Sequence, residues 1–173
     1  MKRCFLAVIA MIATSQAMAV DGYKDMKFGM SKAEIIKMKP CAMYKGNGAP
    51  EGAESLECDD FKFGGKKVGA GFFFIDGKFE RIGIMLDADK TLGVATSLRD
   101  KYGDPSSAST KKQLEAVDTT PGANAFIAFD DDTIYLRMMT DEAMNQAAIL
   151  IYTSKSYDDN LVKKHASSID SDI

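Results

Sequence analysis

The sequence predicts an α+β protein built on an antiparallel sheet with helices packed on one face. Three observations support this fold class: strand-like apolar runs come in two groups of three, short turn segments separate them, and capped helical segments stand beside the groups. The predicted order is α-β-β-β-α-β-β-β-α. We interpret it as two tandem α-β-β-β units over 26–88 and 89–155, followed by a C-terminal helix over 156–168.

The first helix and the loop after it have clear boundaries in the sequence. Ser31 is a good N-cap, Glu34 completes a capping box three residues later, and Pro40 stops the helix. The segment 44–52 is rich in Gly and contains a Pro, which predicts an exposed, turn-rich loop.

The first group of strands is predicted over 56–63, 67–75 and 79–86. Gly64-Gly65 and Asp76-Gly77 lie between these strands, and both are favoured hairpin dipeptides because they tolerate positive φ. The three strands are therefore expected to form an antiparallel meander.

A two-residue turn at 76–77 also predicts which residues face each other across the second hairpin. It places Phe73 opposite Glu80 and Gly71 opposite Ile82, so that a small residue opposes a β-branched one. The apolar segment 71–75 would promote aggregation if it were exposed, and we expect helices to cover it.

The second half of the chain begins with a helix that Asp89 is expected to cap. Gly103 ends this helix and Pro105 prevents its continuation. Residues 106–123 are rich in Ser, Thr, Lys and Gly and predict a mobile connection.

The second group of strands follows over 125–129, 133–139 and 147–152, with three consecutive Asp residues in its first turn. Ser156 is expected to cap the C-terminal helix. The sequence leaves open whether the two groups of strands form one sheet.

The first 19 residues are predicted to be a cleaved secretory signal. Lys2 and Arg3 precede an unbroken apolar run over 5–13, and Ala17 and Ala19 provide the small residues that a signal peptidase requires. The apolar run is far shorter than the roughly 20 residues of a membrane-spanning helix.

A lipid anchor is not expected either, because Cys4 precedes the apolar run whereas a lipid-acceptor Cys would follow it. We therefore expect a mature chain of residues 20–173. It would form a single domain in the periplasm or outside the cell, with no transmembrane segment.

The two remaining cysteines, Cys41 and Cys58, predict one disulfide, since exported chains keep such pairs oxidised. The bridge would enclose the loop over 44–52 and contribute about 3 kcal/mol by the chain-entropy argument. A redox pair would favour closer Cys-x-x-Cys spacing. A zinc site would need two further ligands that the sequence does not show.

Charge and composition exclude several classes of function. The chain of 173 residues has a formal net charge of -3, and loss of Lys2 and Arg3 with the signal leaves 20 basic against 25 acidic residues. So acidic a chain is a poor nucleic-acid binder. The single His excludes a His-rich metal site.

No familiar catalytic motif is present. The sequence lacks a Gly-x-Ser-x-Gly nucleophile motif and a phosphate-binding Gly loop, and His165, the sole His, lies close to the C-terminus. We therefore expect a protein that is not an enzyme, with no catalytic residue, no cofactor and no metal site.

Methionine is the one abundant residue type that suggests a ligand. Thioethers suit Cu(I), and Met26, Met30, Met38 and Met43 are candidate ligands in an oxidising envelope. The alternative interpretation is that these side chains fill the core in the absence of Trp.

Two segments carry a resemblance to known proteins. The run Phe-Gly-Met-Ser-Lys-Ala-Glu-Ile at 28–35 resembles the helix start of small bacterial envelope domains, and Leu98 with Tyr-Gly-Asp-Pro at 102–105 is similar to their helix exit. These domains include the SmpA/BamE-like outer-membrane assembly lipoproteins and the β-lactamase-inhibitor-protein-like fold. The resemblance implies tandem helix-plus-sheet units and a non-catalytic protein that binds another protein through a sheet face and loops.

The sequence thus favours an exported, non-catalytic protein-binding module of the bacterial envelope, of inhibitor or adaptor type. Its partner is expected to be another envelope protein, contacted by Tyr44, Lys45 and Asn47 in the tethered loop. A loop stapled only for stability is the competing interpretation of these residues. The alternative function is a periplasmic carrier that binds a small ligand or copper.

Overall fold

A computed structural model of the chain describes residues 19–172; the predicted signal segment lies outside this range except for its last residue. The elements, in chain order, are β1 (Gly22–Tyr23), β2 (Met26–Lys27), α1 (Lys32–Met38), β3 (Tyr44–Lys45), β4 (Glu54–Phe63), β5 (Lys66–Ile75), β6 (Lys78–Leu86), α2 (Thr91–Tyr102), β7 (Ser107–Ala108), α3 (Lys111–Ala116), β8 (Asn124–Phe129), β9 (Ile134–Thr140), β10 (Gln146–Thr153) and α4 (Tyr157–Asp172). The α+β class is confirmed. The predicted order of elements is incomplete, because the short strands β1, β2, β3 and β7 and the helix α3 were not expected.

Both groups of strands belong to one antiparallel sheet with the order β3-β4-β5-β6-β10-β9-β8-β7, while β1 and β2 form a separate ribbon. The groups join where β6 pairs with β10, with Ile84 opposite Leu150. The order mirrors itself about this seam. Each half contains a helix, a two-residue strand and a meander of three long strands, with α3 as an addition in the second half, and the last strands of the two halves lie side by side.

The predicted mobile connection over 106–123 is wrong. Ser107 and Ala108 pair with β8, and α3 follows. The helix starts with a capping box in which the side chains of Thr110 and Gln113 each accept the backbone N–H of the other residue. The Ser- and Thr-rich composition of this segment led to the prediction of a loop, although the capping box is present in the sequence.

The second half also begins differently from the prediction. Asp89 does not cap α2, because it lies inside a short 3-10 turn over 88–90 that precedes the helix. The carbonyl of Asp87 accepts the N–H of Lys90 in that turn at 2.9 Å.

The predicted pairing of β5 with β6 is correct only next to the turn. Phe74 does lie opposite Phe79, but a bulge follows, so that Phe73 faces Arg81 and Gly71 faces Gly83. The bulge is explained by the burial of the residues on either side of it.

The extra residue keeps both Phe79 and Ile82 in the core although they are three residues apart. The bulge also buries Glu80, whose carboxylate accepts the hydroxyls of Ser154 and Ser156.

The core lies on the face of the sheet that carries Phe72, Ile82, Leu136 and Leu150, here called the core face. Ile35 of α1 is fully buried against it. Leu98 of α2 belongs to the same cluster, so α1 and α2 cover this face as predicted.

The helix α4 does not share the core face, and the prediction of helices on one face is wrong for it. Its first residue, Tyr157, lies with its ring centroid 3.6 Å from the guanidinium carbon of Arg81. Arg81 precedes Ile82 in β6 and points to the opposite side of the sheet, here called the second face. The hydrogen bonds of Ser154 and Ser156 to the bulge turn the chain towards this face.

Candidate functional site

A cavity of about 830 Å³ lies between the core face, α2 and the N-terminal segment 20–24. Its walls are mainly apolar and aromatic, with contributions from both halves of the sheet. The lining side chains and glycines are Val20, Asp21, Gly22, Tyr23, Lys24, Phe63, Gly64, Lys66, Val68, Leu86, Asp87, Lys90, Gly93, Val94, Ser97, Leu98, Lys101, Tyr102, Leu150 and Tyr152. A volume of this size is within the range of about 300–1,000 Å³ that small-molecule pockets occupy.

Small residues on α2 leave this space open. Gly93, Val94 and Ser97 lie on the side of the helix that faces the sheet, at the three- and four-residue spacing of one helical face. A Cβ atom added at Gly93 would meet nothing within 4 Å. The helix is therefore anchored by Leu98 but does not fill the gap in front of the sheet.

Three tyrosines from three separate elements form one end of the cavity. The rings of Tyr23 and Tyr152 meet edge to face with centroids 5.0 Å apart. Burial raises the pKa of Tyr152, and its hydrogen bond with Tyr102 raises that pKa further. Burial also raises the pKa of Tyr23. The phenols of Tyr23 and Tyr152 consequently stay neutral at any physiological pH.

These tyrosines predict a loss of stability in alkali. An acid whose pKa is raised by folding stabilises the native state below its unfolded value, here 10.0, and that contribution disappears as the pH rises past this value. We expect the free energy of unfolding to fall above pH 10.0, with a shallower fall in Tyr152→Phe than in Tyr44→Phe, because the pKa of Tyr44 is raised as well but its exposed phenol is screened by water. Urea denaturation over a series of pH values measures both slopes. Equal slopes in the two variants would contradict the assignment to buried phenols.

The mouth of the cavity is positively charged although the chain as a whole is acidic. The charged side chains in the lining are four lysines, at 24, 66, 90 and 101, and two aspartates, at 21 and 87. Both aspartates are already paired, since Asp21 lies 2.8 Å from Lys27 and Asp87 lies 2.9 Å from Lys66.

The predicted binding loop lies elsewhere, on the other side of the molecule from the cavity lining. The disulfide between Cys41 and Cys58 is present, with Cα atoms 6.2 Å apart, and it fixes the base of the loop against β4. Tyr44 and Lys45 form β3 and Asn47 follows it, all three exposed. Their role in binding remains a prediction.

A second bulge shapes the base of this loop. The pairing of β4 with β5 shifts between Cys58 and Phe61, which leaves Asp59 and Asp60 at the bulge. Asp59 accepts the hydroxyl of Tyr44 at 3.2 Å, and Asp60 accepts the N–H of Ala42 at 2.8 Å. The loop is therefore tied to β4 by two carboxylates in addition to the disulfide.

Gly46 is required where the loop passes over β4. Its N–H donates to the carbonyl of Ser55 at 3.0 Å, and an added Cβ atom would lie 2.2 Å from the Ser55 hydroxyl oxygen. The neighbouring Gly48 N–H donates to the carboxylate of Glu57 at 3.1 Å. Backbone contacts thus hold the loop close to the sheet.

A shallower groove of about 400 Å³ lies on the second face beside this loop. Its floor consists of small and apolar residues of β5, β6 and β10, including Gly71, Gly83 and Ile151, and Tyr157 closes one end. The groove is open to a partner that approaches the sheet from the side of the loop.

The methionines considered as copper ligands lie in different surroundings. Met26 is buried in the core, Met30 and Met43 pack against it, and Met38 is exposed. The sulfur of Met30 accepts the N–H of Lys27 at 3.4 Å. These positions favour the interpretation of the methionines as core filling.

The only clustered metal-ligand types among the described residues are Cys41, Cys58 and Asp60. Since both sulfurs are joined in the disulfide, this cluster offers no thiolate. His165, on α4, lies with its Nδ1 3.8 Å from a carboxylate oxygen of Glu51.

Comparisons with known proteins place these features in a family. The chain belongs to a family of uncharacterised proteins, whose profile matches residues 23–172. It is 34% identical over 167 residues to an uncharacterized protein of Haemophilus influenzae, and the match covers 95% of this chain and 94% of the relative. No solved structure matches the chain. The family match includes the sheet, the tethered loop and all of the cavity lining from Tyr23 onward.

The sequence did not reveal the cavity, because its walls come from four segments that are distant along the chain. A local signal did exist in α2, where Gly93 and Ser97 replace the large side chains expected on a core-facing helix. Within the part of the chain that the structure describes, no helix is both long and apolar enough to cross a membrane.

Proposed function

We propose that this protein is an exported, non-catalytic binding protein of the bacterial envelope that holds a small apolar ligand in the cavity under α2. The observation that carries the proposal is the cavity itself, about 830 Å³ in volume and walled by aromatic and aliphatic side chains. Concave apolar sites with a few polar groups are the usual form of small-molecule sites.

Several features indicate that the cavity is a binding site and not a defect in packing. The three tyrosines supply hydroxyl groups inside an apolar wall, and both halves of the sheet contribute to it through Leu86 and Leu150. The disulfide supports the location in the envelope, since such bridges persist in oxidising compartments. Three of the four candidate methionines, Met26, Met30 and Met43, belong to the core or pack against it, which favours an organic ligand over copper.

Two neighbouring residues of α2 provide a matched test. Thr96 and Ser97 are both exposed, and each hydroxyl donates to a carbonyl four residues earlier at 3.0 Å, but only Ser97 lines the cavity. The mature protein would be titrated with phenylnaphthylamine, a neutral apolar dye whose fluorescence rises on binding. We expect Ser97→Phe to weaken binding about fifteenfold, the cost of excluding roughly two methylenes' worth of apolar contact.

The control variant Thr96→Phe should bind the dye like the wild type. If the wild type shows no saturable binding, the proposed function is wrong. If the two variants lose affinity equally, the dye binds at another place and the cavity is not the site.

A second candidate function is recognition of another envelope protein by the tethered loop. The observation in its favour is that Tyr44 is 47% exposed although its hydroxyl is held by Asp59 and its strand by the disulfide, which presents a rigid aromatic ring to solvent. Preorganised aromatic side chains are frequent anchors of protein interfaces.

A photocrosslinking amino acid in place of Asn47, installed in the living cell, tests this second candidate. We expect one discrete protein adduct, which disappears when Tyr44→Ala and Lys45→Ala are added. The same crosslinker in place of Leu92, an apolar residue that is 80% exposed on α2, should give no such adduct. Identical adduct patterns with and without the Tyr44 and Lys45 substitutions would exclude the loop as the interface.

A further inference from the structure

Resting on the proposed function, we infer that the cavity takes a single-chain amphiphile with an anionic head, whose simplest representative is a fatty-acid carboxylate. The inference comes from the distribution of charge around the apolar walls. Four lysines and two aspartates line the site in a chain whose formal net charge is -3. The lining of the cavity therefore has an excess of two positive charges in an acidic chain.

Two of these lysines are available for a ligand. Lys66 pairs with Asp87 at 2.9 Å and Lys90 pairs with Asp89 at 3.0 Å. In the part of the chain described by the structure, Lys24 and Lys101 have no acidic partner. Each instead lies over an aromatic ring.

The positions of Lys24 and Lys101 place their charges at the polar end of the apolar walls. The Lys24 Nζ lies 5.3 Å from the centroid of the Tyr23 ring, and the Lys101 Nζ lies 4.9 Å from that of Tyr102. Both tyrosines line the cavity and both are linked to Tyr152. An anionic head would thus meet two ammonium groups and a phenol hydroxyl while its chain runs along Leu98 and Leu150.

The contributions of the ligand's alkyl chain and of its charged head group can be tested separately. The mature protein would be titrated calorimetrically with dodecanoate, decanoate and dodecyltrimethylammonium, each below its micelle concentration. We expect dodecanoate to bind and decanoate to bind about fifteenfold more weakly, since two methylenes are lost from the apolar contact. The cation of equal chain length should bind more weakly than dodecanoate.

Charge removal completes the test. The double variant Lys24→Met/Lys101→Met should weaken dodecanoate binding about two- to thirtyfold, the range for two exposed ion pairs, and should change phenylnaphthylamine binding by a smaller factor, because the dye carries no charge. Lys111→Met/Lys112→Met removes the same charge from the exposed start of α3 and should change neither.

The two proposals fail in distinguishable ways. If dodecyltrimethylammonium binds as tightly as dodecanoate, or if both double variants behave alike, the proposed preference for an anionic head group is wrong. The proposed apolar binding site is not contradicted by that result. If neither the amphiphiles nor the neutral dye bind, the proposed function itself is wrong.

A different observation, the docking of the N-terminus, carries a second proposal. The backbone nitrogen of Val20 donates to the carboxylate of Asp130 at 2.5 Å across 110 positions of sequence. The same carboxylate accepts the hydroxyl of Thr133, which is fully buried, at 2.8 Å. Val20 also packs against the core.

We propose that signal removal after Ala19 creates an α-ammonium group at Val20 that forms an ion pair with Asp130. Hydrolysis of the Ala19–Val20 peptide bond turns the amide nitrogen into an ammonium at the place where the carboxylate already accepts a hydrogen bond. Because Val20 and the next four residues form one wall of the cavity, the pair fixes that wall in the mature protein.

The substitution Asp130→Asn removes the negative charge of this ion pair and keeps the size of the side chain. Asn also tolerates the left-handed backbone of this position, φ 55°, and keeps an oxygen for Thr133. The protein would be isolated from the envelope and its first residue determined by mass spectrometry. We expect Val20 as the first residue and a melting temperature lowered by about 3–6 °C in Asp130→Asn.

Asp131→Asn is the matched control, because Asp131 is the next residue of the same turn, shares its left-handed backbone and forms an exposed ion pair with Lys155 at 3.1 Å. It should lower the melting temperature by about 1 °C. A mature chain that begins at another residue, or equal losses in the two variants, would overturn the proposal.

Discussion

Phe79→Ala is expected to lower the free energy of unfolding by about 3–5 kcal/mol, a large share of the roughly 5–15 kcal/mol that stabilises a domain. Phe79 is 0% exposed and its ring lies within 6.3 Å, centroid to centroid, of the rings of Phe28, Phe72 and Phe74. Truncation removes the apolar contact and leaves a cavity that three packed aromatic rings have little freedom to fill.

The position of Phe79 at the bulge adds to this effect. Its N–H donates to the carbonyl of Met30 at 2.7 Å, and its carbonyl accepts the N–H of Gly29 at 2.8 Å, so β6 is tied here to the start of α1. Urea denaturation of the mature protein measures the loss. Phe126→Ala provides the control, because Phe126 is only half-buried and contacts the ring of Tyr135 on the second face. We expect the control to lose less than half as much, and equal losses would show that the aromatic cluster is not the centre of the core.

Removal of the disulfide is expected to have the second-largest effect. Cys41→Ala/Cys58→Ala should lower the free energy of unfolding by about 3 kcal/mol, because the bridge closes a loop of 17 residues in the unfolded chain. Cys58 is 1% exposed, so alanine at this position also loses some apolar contact.

The control for the disulfide prediction is chemical reduction of the wild type, which should give nearly the same melting temperature as the double variant. Binding of phenylnaphthylamine should persist in both, since neither cysteine lines the cavity. A reduced protein as stable as the oxidised one would show that the two carboxylates of the bulge, Asp59 and Asp60, hold the loop without the bridge.

Local chemistry made much of the fold predictable. Gly64-Gly65 and Asp76-Gly77 all have positive φ in their turns, as the hairpin prediction requires. The capping box of Ser31 and Glu34 starts α1, and the side chain of each accepts the backbone N–H of the other residue. These elements depend on residues within a few positions of each other, which is the range that sequence patterns describe.

The features that were not predictable depend on distant residues. The bulge at Glu80 exists because Ser154 and Ser156, more than 70 positions away, bind its carboxylate and because Phe79 and Ile82 both enter the core. The junction of β6 with β10 depends in the same way on two strands that are separated by α2, α3 and the strands β7, β8 and β9. No periodicity within either strand specifies that partner.

The candidate site shows the same division between local and distant information. The disulfide was predictable from two cysteines in an exported chain, and the exposure of Tyr44 and Lys45 from the turn-rich loop around them. The cavity was not, since Tyr23, Tyr102 and Tyr152 come together only when the N-terminal segment, α2 and β10 are packed.

The two-residue strands β3 and β7 at the ends of the sheet have a consequence for the behaviour of the protein in a crowded compartment. An edge strand is a template on which another chain can add by backbone hydrogen bonding, and short edges offer few such groups. The apolar segment 71–75 lies on β5, between β4 and β6, and both backbone edges of residues 71–74 are already paired. The folded protein thus keeps its most aggregation-prone segment out of reach of a second chain.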